Sequence, residues 1–166
     1  MRKVMTCSAA AVLLALGSTQ AVADNEGEMY AGGGIGFHSL GNFDDATGFQ
    51  VFGGYNLGSE LLGVDDMDFI IEGGFQDTGD FEGTGAFGQT TNFGSVSGVW
   101  GTALFEYNLN PQIALLGRAG LDFGDDDGFM FGIGGGYNVT DEIRARLELV
   151  ERDNVSSTQL NVTYSF

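Results

Sequence analysis

The chain has 166 residues, room for one domain, with 23 acidic residues against six basic ones and a single histidine. Nothing in that balance neutralises a phosphate backbone, which excludes nucleic-acid binding. Twenty-nine glycines, 14 phenylalanines and one proline suit many strands with small residues on one face, and do not suit a helical protein.

Residues 1–23 read as a secretory signal peptide. Arg2 and Lys3 form a basic start, an apolar core runs over 9–16, and Ala21-Val22-Ala23 is a small-x-small cleavage site. The segment is too short to span a membrane as a helix. Cys7 lies ahead of the apolar core, whereas a lipoprotein anchor would need it afterwards. The mature chain expected, 24–166, has no cysteine and no lysine, and its four arginines against 23 acidic residues give a formal charge of −19. Its stability has to come from a core or from a membrane, since no disulfide can form.

Alternating runs follow one another along this chain. In 29–39, Ala31, Gly33, Ile35 and Phe37 share a face. In 47–57, Phe49, Val51, Gly53, Tyr55 and Leu57 alternate with Gly48, Gln50, Phe52, Gly54 and Asn56. In 66–76, Met67, Phe69, Ile71, Gly73 and Phe75 oppose Asp66, Asp68, Ile70, Glu72 and Gly74. The polar, glycine-rich stretch 77–92 reads as a long loop. A fourth run, 93–108, sets Val99, Ala103, Phe105 and Tyr107 against Trp100, Thr102, Leu104 and Glu106; a bulge would move Trp100 to the other face. The turn at 108–111 holds the only proline, outside any ladder.

In 112–123, Ile113, Leu115, Gly117, Ala119 and Leu121 oppose Ala114, Leu116, Arg118, Gly120 and Asp122. GDDDG at 124–128 turns into 129–137, where Phe129, Phe131, Ile133 and Tyr137 share a side. After a turn at 138–141, the run 142–152 places Ile143, Ala145, Leu147 and Leu149 opposite Arg144, Arg146 and Glu148. The last run, 155–166, sets Leu160, Val162, Tyr164 and Phe166 against Gln159, Asn161, Thr163 and Ser165. Longer links (40–46, 77–92, 123–128, 152–156) alternate with shorter ones around Gly58 and at 108–111 and 138–141. The segment after Leu57 is longer than that scheme predicts.

The same alternation serves a soluble barrel with an apolar interior and a membrane barrel with an apolar exterior. The polar face decides. It carries Gly, Ser, Thr, Asn and Gln with a few charges, Glu72, Glu106, Arg118, Arg144, Arg146 and Glu148, and none of the lysines a water-facing wall would hold. On the other face, Tyr55, Tyr107, Tyr137, Tyr164 and Phe166 lie beside the short turns, as an interfacial girdle would. The expected fold is all-β: an eight-stranded antiparallel up-and-down transmembrane β-barrel over 24–166.

The segments GGGIG, GFQVFGGYNL, the strand bearing Glu72, VWGTALFEYNLNP, LLGRAGLDF, FGIGGGYNVTDEI and the terminal NVTYSF resemble the OmpA-like transmembrane domain and OmpX-like small outer-membrane barrels. The resemblance implies a monomer in the bacterial outer membrane, among its lipids and lipopolysaccharide. It also implies handling by periplasmic chaperones and the barrel assembly machinery, with Leu160, Val162, Tyr164 and Phe166 as the assembly signal. No periplasmic peptidoglycan-binding domain is expected.

For function, the leading expectation is a structural or surface-interaction role through acidic outer loops. The alternative is a narrow ion or small-solute channel gated by lumen ion pairs among Glu72, Glu106, Arg118, Arg144, Arg146 and Glu148. Action on lipid A comes third, because His38 and Ser39 are adjacent in a strand and point to opposite faces, so they cannot act as base and nucleophile together. The clustered acids Asp44, Asp45, Asp77, Asp80, Glu82, Asp125, Asp126 and Asp127 would attract divalent cations, yet they lack the alternate-residue spacing of a calcium loop. No catalytic residue, metal ligand or cofactor is expected.

Overall fold

In the computed structural model, the residues described are 27–39, 46–60, 63, 66–84, 90–125 and 127–166, with the side chains of 82–93 left aside. The signal-peptide segment and Asp44, Asp45 and Asp126 lie outside them. Eight strands follow in order: β1 (Met29–Ser39), β2 (Ala46–Asn56), β3 (Met67–Thr84), β4 (Thr90–Asn110), β5 (Ile113–Gly124), β6 (Gly128–Asn138), β7 (Ile143–Glu151) and β8 (Ser156–Ser165). Each pairs antiparallel with its chain neighbours, and β8 closes on β1. The seam runs in unbroken register from Tyr30 opposite Ser165 to Ser39 opposite Ser156. Beyond it, the Phe166 N–H donates to the Met29 carbonyl at 3.0 Å.

Because side chains alternate across a strand, closure sorts the residues into a wall and a lumen. The wall is apolar and bare. Ile133 is 68% exposed and Phe129 65%, and Val51, Ile71, Leu115, Leu149, Leu160 and Val162 are all exposed with them. An apolar surface this continuous suits lipid rather than water. Tyr55, Tyr107, Tyr137, Tyr164 and Phe166 are exposed on the same wall. Trp100 points into the lumen and is buried.

The stretch 77–92 departs from its reading as a loop. β3 continues to Thr84 and β4 begins at Thr90, and the two pair with each other throughout. Register shifts between Asp77 and Asp80 and between Phe81 and Glu82 break the strict alternation, so a period-two reading stops there. The first shift is held locally: Gly79 takes a left-handed φ of 72°, its N–H donates to Asp77 Oδ1 at 2.8 Å, and Val96 N–H donates to Thr78 Oγ1 at 2.9 Å. The link after β2 is tied down by a pair of backbone bonds, Leu57 N–H to the Phe69 carbonyl and Phe69 N–H to that of Gly58.

Lumen glycines let the strands come together. A Cβ on Gly34 would stand 2.9 Å from Asn161 Cα, inside the β1–β8 seam. On the wall, a Cβ on Gly117 would meet nothing within 4 Å. Overpacking against backbone costs about 1–3 kcal/mol or more, because the backbone cannot step aside. Gly34→Val is therefore expected to lower the urea midpoint of the folded barrel in lipid vesicles and to reduce its heat-modifiable gel form, while Gly117→Val leaves both within error.

Candidate functional site

The lumen collects the charged side chains. β3 supplies Glu72, β5 supplies Arg118, and β7 supplies Arg146 and Glu148; all four are buried. Arg118 Nη2 lies 2.9 Å from Glu72 Oε2 and 2.6 Å from Glu148 Oε2. Arg146 spans the same two carboxylates, with Nη1 at 2.6 Å from Glu72 Oε1 and Nη2 at 2.9 Å from Glu148 Oε1. Two guanidinium groups and two carboxylates thus form a closed ring whose charges sum to zero. Its two carboxylates accept further bonds: the Tyr30 hydroxyl donates to Glu72, and Asn161 Nδ2 donates to Glu148 Oε1 at 3.1 Å.

An apolar layer lies on each side of the ring. Toward the end with the short turns and Phe166, Ile70, Leu104 and Leu116 pack together against Tyr30. Toward the other end, Phe52, Trp100, Met130 and Val150 form a second cluster. The guanidinium groups stack on it, Arg118 5.3 Å from the Trp100 ring centre and Arg146 5.4 Å from that of Phe52. A cation over an aromatic face in a dry site contributes on the order of 1–2 kcal/mol.

Two further ion pairs sit outside these layers. Near the terminal end, Arg144 pairs with Glu106, donates to Asn138 Oδ1 and keeps its side chain 21% exposed. A cavity of about 80 Å³ opens there, lined by Glu28, Tyr30, Asn56, Glu106, Arg144 and Arg146 among others. Near the opposite end, Arg152 Nε donates to Asp122 Oδ2 at 2.8 Å and Nη1 to Ser157 Oγ at 3.0 Å, and Nη2 reaches Gln76. Ser157 Oγ is also 2.8 Å from His38 Nδ1. All four arginines of 24–166 are accordingly inside the barrel, each on a carboxylate.

The six lumen residues singled out from the sequence are placed in two groups. Glu72, Arg118, Arg146 and Glu148 make the ring, and Glu106 with Arg144 makes a separate pair at the mouth. Sequence reasoning missed Tyr30, Asp122, Arg152, Gln76 and the pairing of His38 with Ser157. Asp122 already stood on the polar face, and Arg152 fell at a predicted strand end. His38 and Ser39 do face opposite ways, but His38 lies directly across the seam from Ser157. Leu160, Val162, Tyr164 and Phe166 lie on the exposed wall. Among the described residues, no three His, Cys, Asp or Glu side chains gather as a metal site would require.

Residues 8–166 match the family model described as outer membrane protein beta-barrel domain. The chain belongs to that family. Among solved structures, a de novo designed transmembrane β-barrel aligns at TM-score 0.58 with 15% identity, covering 85% of this chain and 97% of the design. Ail, the attachment invasion locus protein of Yersinia pestis, aligns at TM-score 0.56 with 14% identity, covering 85% of this chain and 99% of Ail. Identities this low speak for the fold alone. No curated protein matches the chain in sequence.

Removing one member of the ring leaves a buried charge uncompensated, which costs about 3–5 kcal/mol. Glu72→Ala strips a carboxylate from both Arg118 and Arg146, whereas Glu106→Ala leaves Arg144 with access to water. Urea titrations in lipid vesicles are expected to show the larger loss for Glu72→Ala, by at least about 2 kcal/mol on that scale. Equal losses would mean that the ring is not a sealed unit.

Proposed function

We propose that this chain is a non-conducting barrel of the bacterial outer membrane that serves as a surface-interaction protein, with the outer part of the β3–β4 hairpin as its contact element. The observation that carries the reading is the length of that hairpin. β2 pairs with β3 only as far as Asp77, and β5 pairs with β4 only as far as Gly98. The two strands continue together to Thr84 and Thr90, past the last rungs they share with β2 and β5, with the Phe81 side chain buried.

Orientation follows from the links. The short turns and Phe166 face the periplasm, and the outer part of the β3–β4 hairpin, Asp125, Asp127, Glu151 and Asp153 face outward among lipopolysaccharide and outer-membrane lipid. Residues 1–23 act as the signal peptide, periplasmic chaperones and the barrel assembly machinery deliver the chain, and Leu160, Val162, Tyr164 and Phe166 serve as the assembly signal. The barrel works as a monomer. His38 and Ser157 are buried with Arg152 in the lumen and act as polar packing.

A gated channel fits the lumen less well. Opening the ring alone leaves the layer of Ile70, Leu104 and Leu116 and the layer of Phe52, Trp100, Met130 and Val150 in the lumen on either side of it. In planar bilayers the wild-type barrel is expected to give no discrete current steps. Steps that change on Arg118→Ala would establish the channel. For the contact role, cells displaying a variant with 80–95 replaced by Asn-Gly are expected to lose retention on a panel of immobilised surface proteins, with heat-modifiable migration showing that the barrel still folds. Unchanged retention would remove the hairpin from the role.

A further inference from the structure

We infer that the outer end of the lumen is held by a proton-sensitive latch: His38 stays uncharged while it shares Ser157 with Arg152, so parting of β1 from β8 at the outer rim takes up a proton. Five buried side chains make the latch. His38 lies beside the end of β1, Ser157 beside the start of β8, Arg152 follows β7, and Gln76 and Asp122 come from β3 and β5. His38 Nδ1 is 2.8 Å from Ser157 Oγ, and Arg152 Nη1 donates to the same oxygen at 3.0 Å. Arg152 is fixed in turn by Asp122 Oδ2 and by Gln76, whose Nε2 donates to that same Asp122 oxygen at 3.3 Å. The imidazole folds back along its own strand, where a Cβ on Gly36 would stand 2.5 Å from its Nε2.

Hydrogen counting sets the charge. A guanidinium only donates, so Ser157 Oγ accepts from Arg152 and turns its own hydrogen to His38 Nδ1. That bond needs a bare Nδ1, which places the imidazole hydrogen on Nε2 and leaves the group neutral. A hydrogen added at Nδ1 would remove the acceptor and set two cations against one hydroxyl. Burial and Arg152 oppose a charge on the imidazole, Asp77 on β3 favours one, and Asp122 on β5 is bonded to Arg152. The lumen-facing neighbours from β2 and β8, Ala46, Gly48 and Gln159, carry no charge. Asp44 and Asp45, in the link after β1, lie outside the described residues. Once the seam parts, water reaches Nδ1 and the imidazole takes its proton in the ordinary histidine range. Acid therefore draws the outer end open, while Glu72, Arg118, Arg146 and Glu148 stay paired with one another.

The test uses the intact barrel in phosphatidylcholine nanodiscs. The chain has one histidine, so its imidazole nitrogens are read directly by nitrogen-15 NMR. At pH 7.5 the hydrogen is expected on Nε2; a hydrogen on Nδ1 overturns the inference. Amide hydrogen exchange, taken relative to the unfolded rate at each pH, then reads the opening. The outer rungs of the seam, His38 opposite Ser157 and Ser39 opposite Ser156, are expected to lose about ten-fold in protection between pH 7.5 and 5.5, the effect of one proton taken up on opening. The inner rungs, from Tyr30 opposite Ser165 to Gly34 opposite Asn161, are expected to keep theirs. His38→Asn retains an acceptor toward Ser157 and has no proton to take up, so its outer rungs are expected to be equally protected at both pH values. Unchanged outer protection in the wild type overturns the inference, as does the same acid loss in His38→Asn or an equal loss along the whole seam. If His38→Asn does not fold, the position of the imidazole hydrogen and the wild-type contrast between outer and inner rungs decide the matter.

Discussion

An eight-stranded barrel is only just wide enough for its own side chains, and any charge placed inside it has no bulk water to turn to. The rest of this structure depends on meeting that constraint. The four arginines of 24–166 share the lumen, with each guanidinium against an acid. Replacing the ring with well-fitted apolar side chains would not necessarily cost stability, since desolvation offsets much of the attraction between buried ions. What the ring adds is definition. Its four members come from three strands, and they meet only when β3, β5 and β7 are in their observed registers.

Small residues make that meeting possible. Glycine alternates down the lumen face of β1 and β6, and the long side chains of β3, β5 and β7 fill the space it leaves. Added side chains at Gly132 or Gly134 would run into Arg118 and Glu148 respectively. The high glycine content thus serves the packing of arginine and glutamate as much as the bending of strands. The wall needs no such fitting, because lipid conforms to whatever shape it is given.

The wall was therefore the legible part. Period-two alternation stands out wherever one face is uniformly apolar, and it placed the strands to within a residue or two through β1, β2 and β5 to β8. It failed at 77–92, where bulges shift the phase and glycine removes the contrast. Inside, the polar face could be recognised, but its pairings could not. Glu72 and Arg146 are 74 residues apart, and His38 and Ser157 are 119 apart. Which of them meet depends on how far the sheet shears as it closes, and no local pattern records that. Arg144 and Glu106 looked equivalent to the ring residues in sequence, yet they lie at the mouth, one step too close to the terminal end to join it.

Gathering every basic side chain of 24–166 in the lumen has a consequence for proteolysis. Trypsin cleaves only after lysine or arginine, and here its four possible sites are Arg118, Arg144, Arg146 and Arg152, all borne by the barrel and turned inward. The folded chain presents acidic loops and a long hairpin that this protease cannot cut, whatever their mobility. The unfolded chain presents four sites within 35 residues of one another, on the order of a quarter of the barrel. Susceptibility to trypsin should then report opening of the barrel itself and stay silent about its outer loops, a separation that most proteins, with lysines scattered over their surfaces, do not allow.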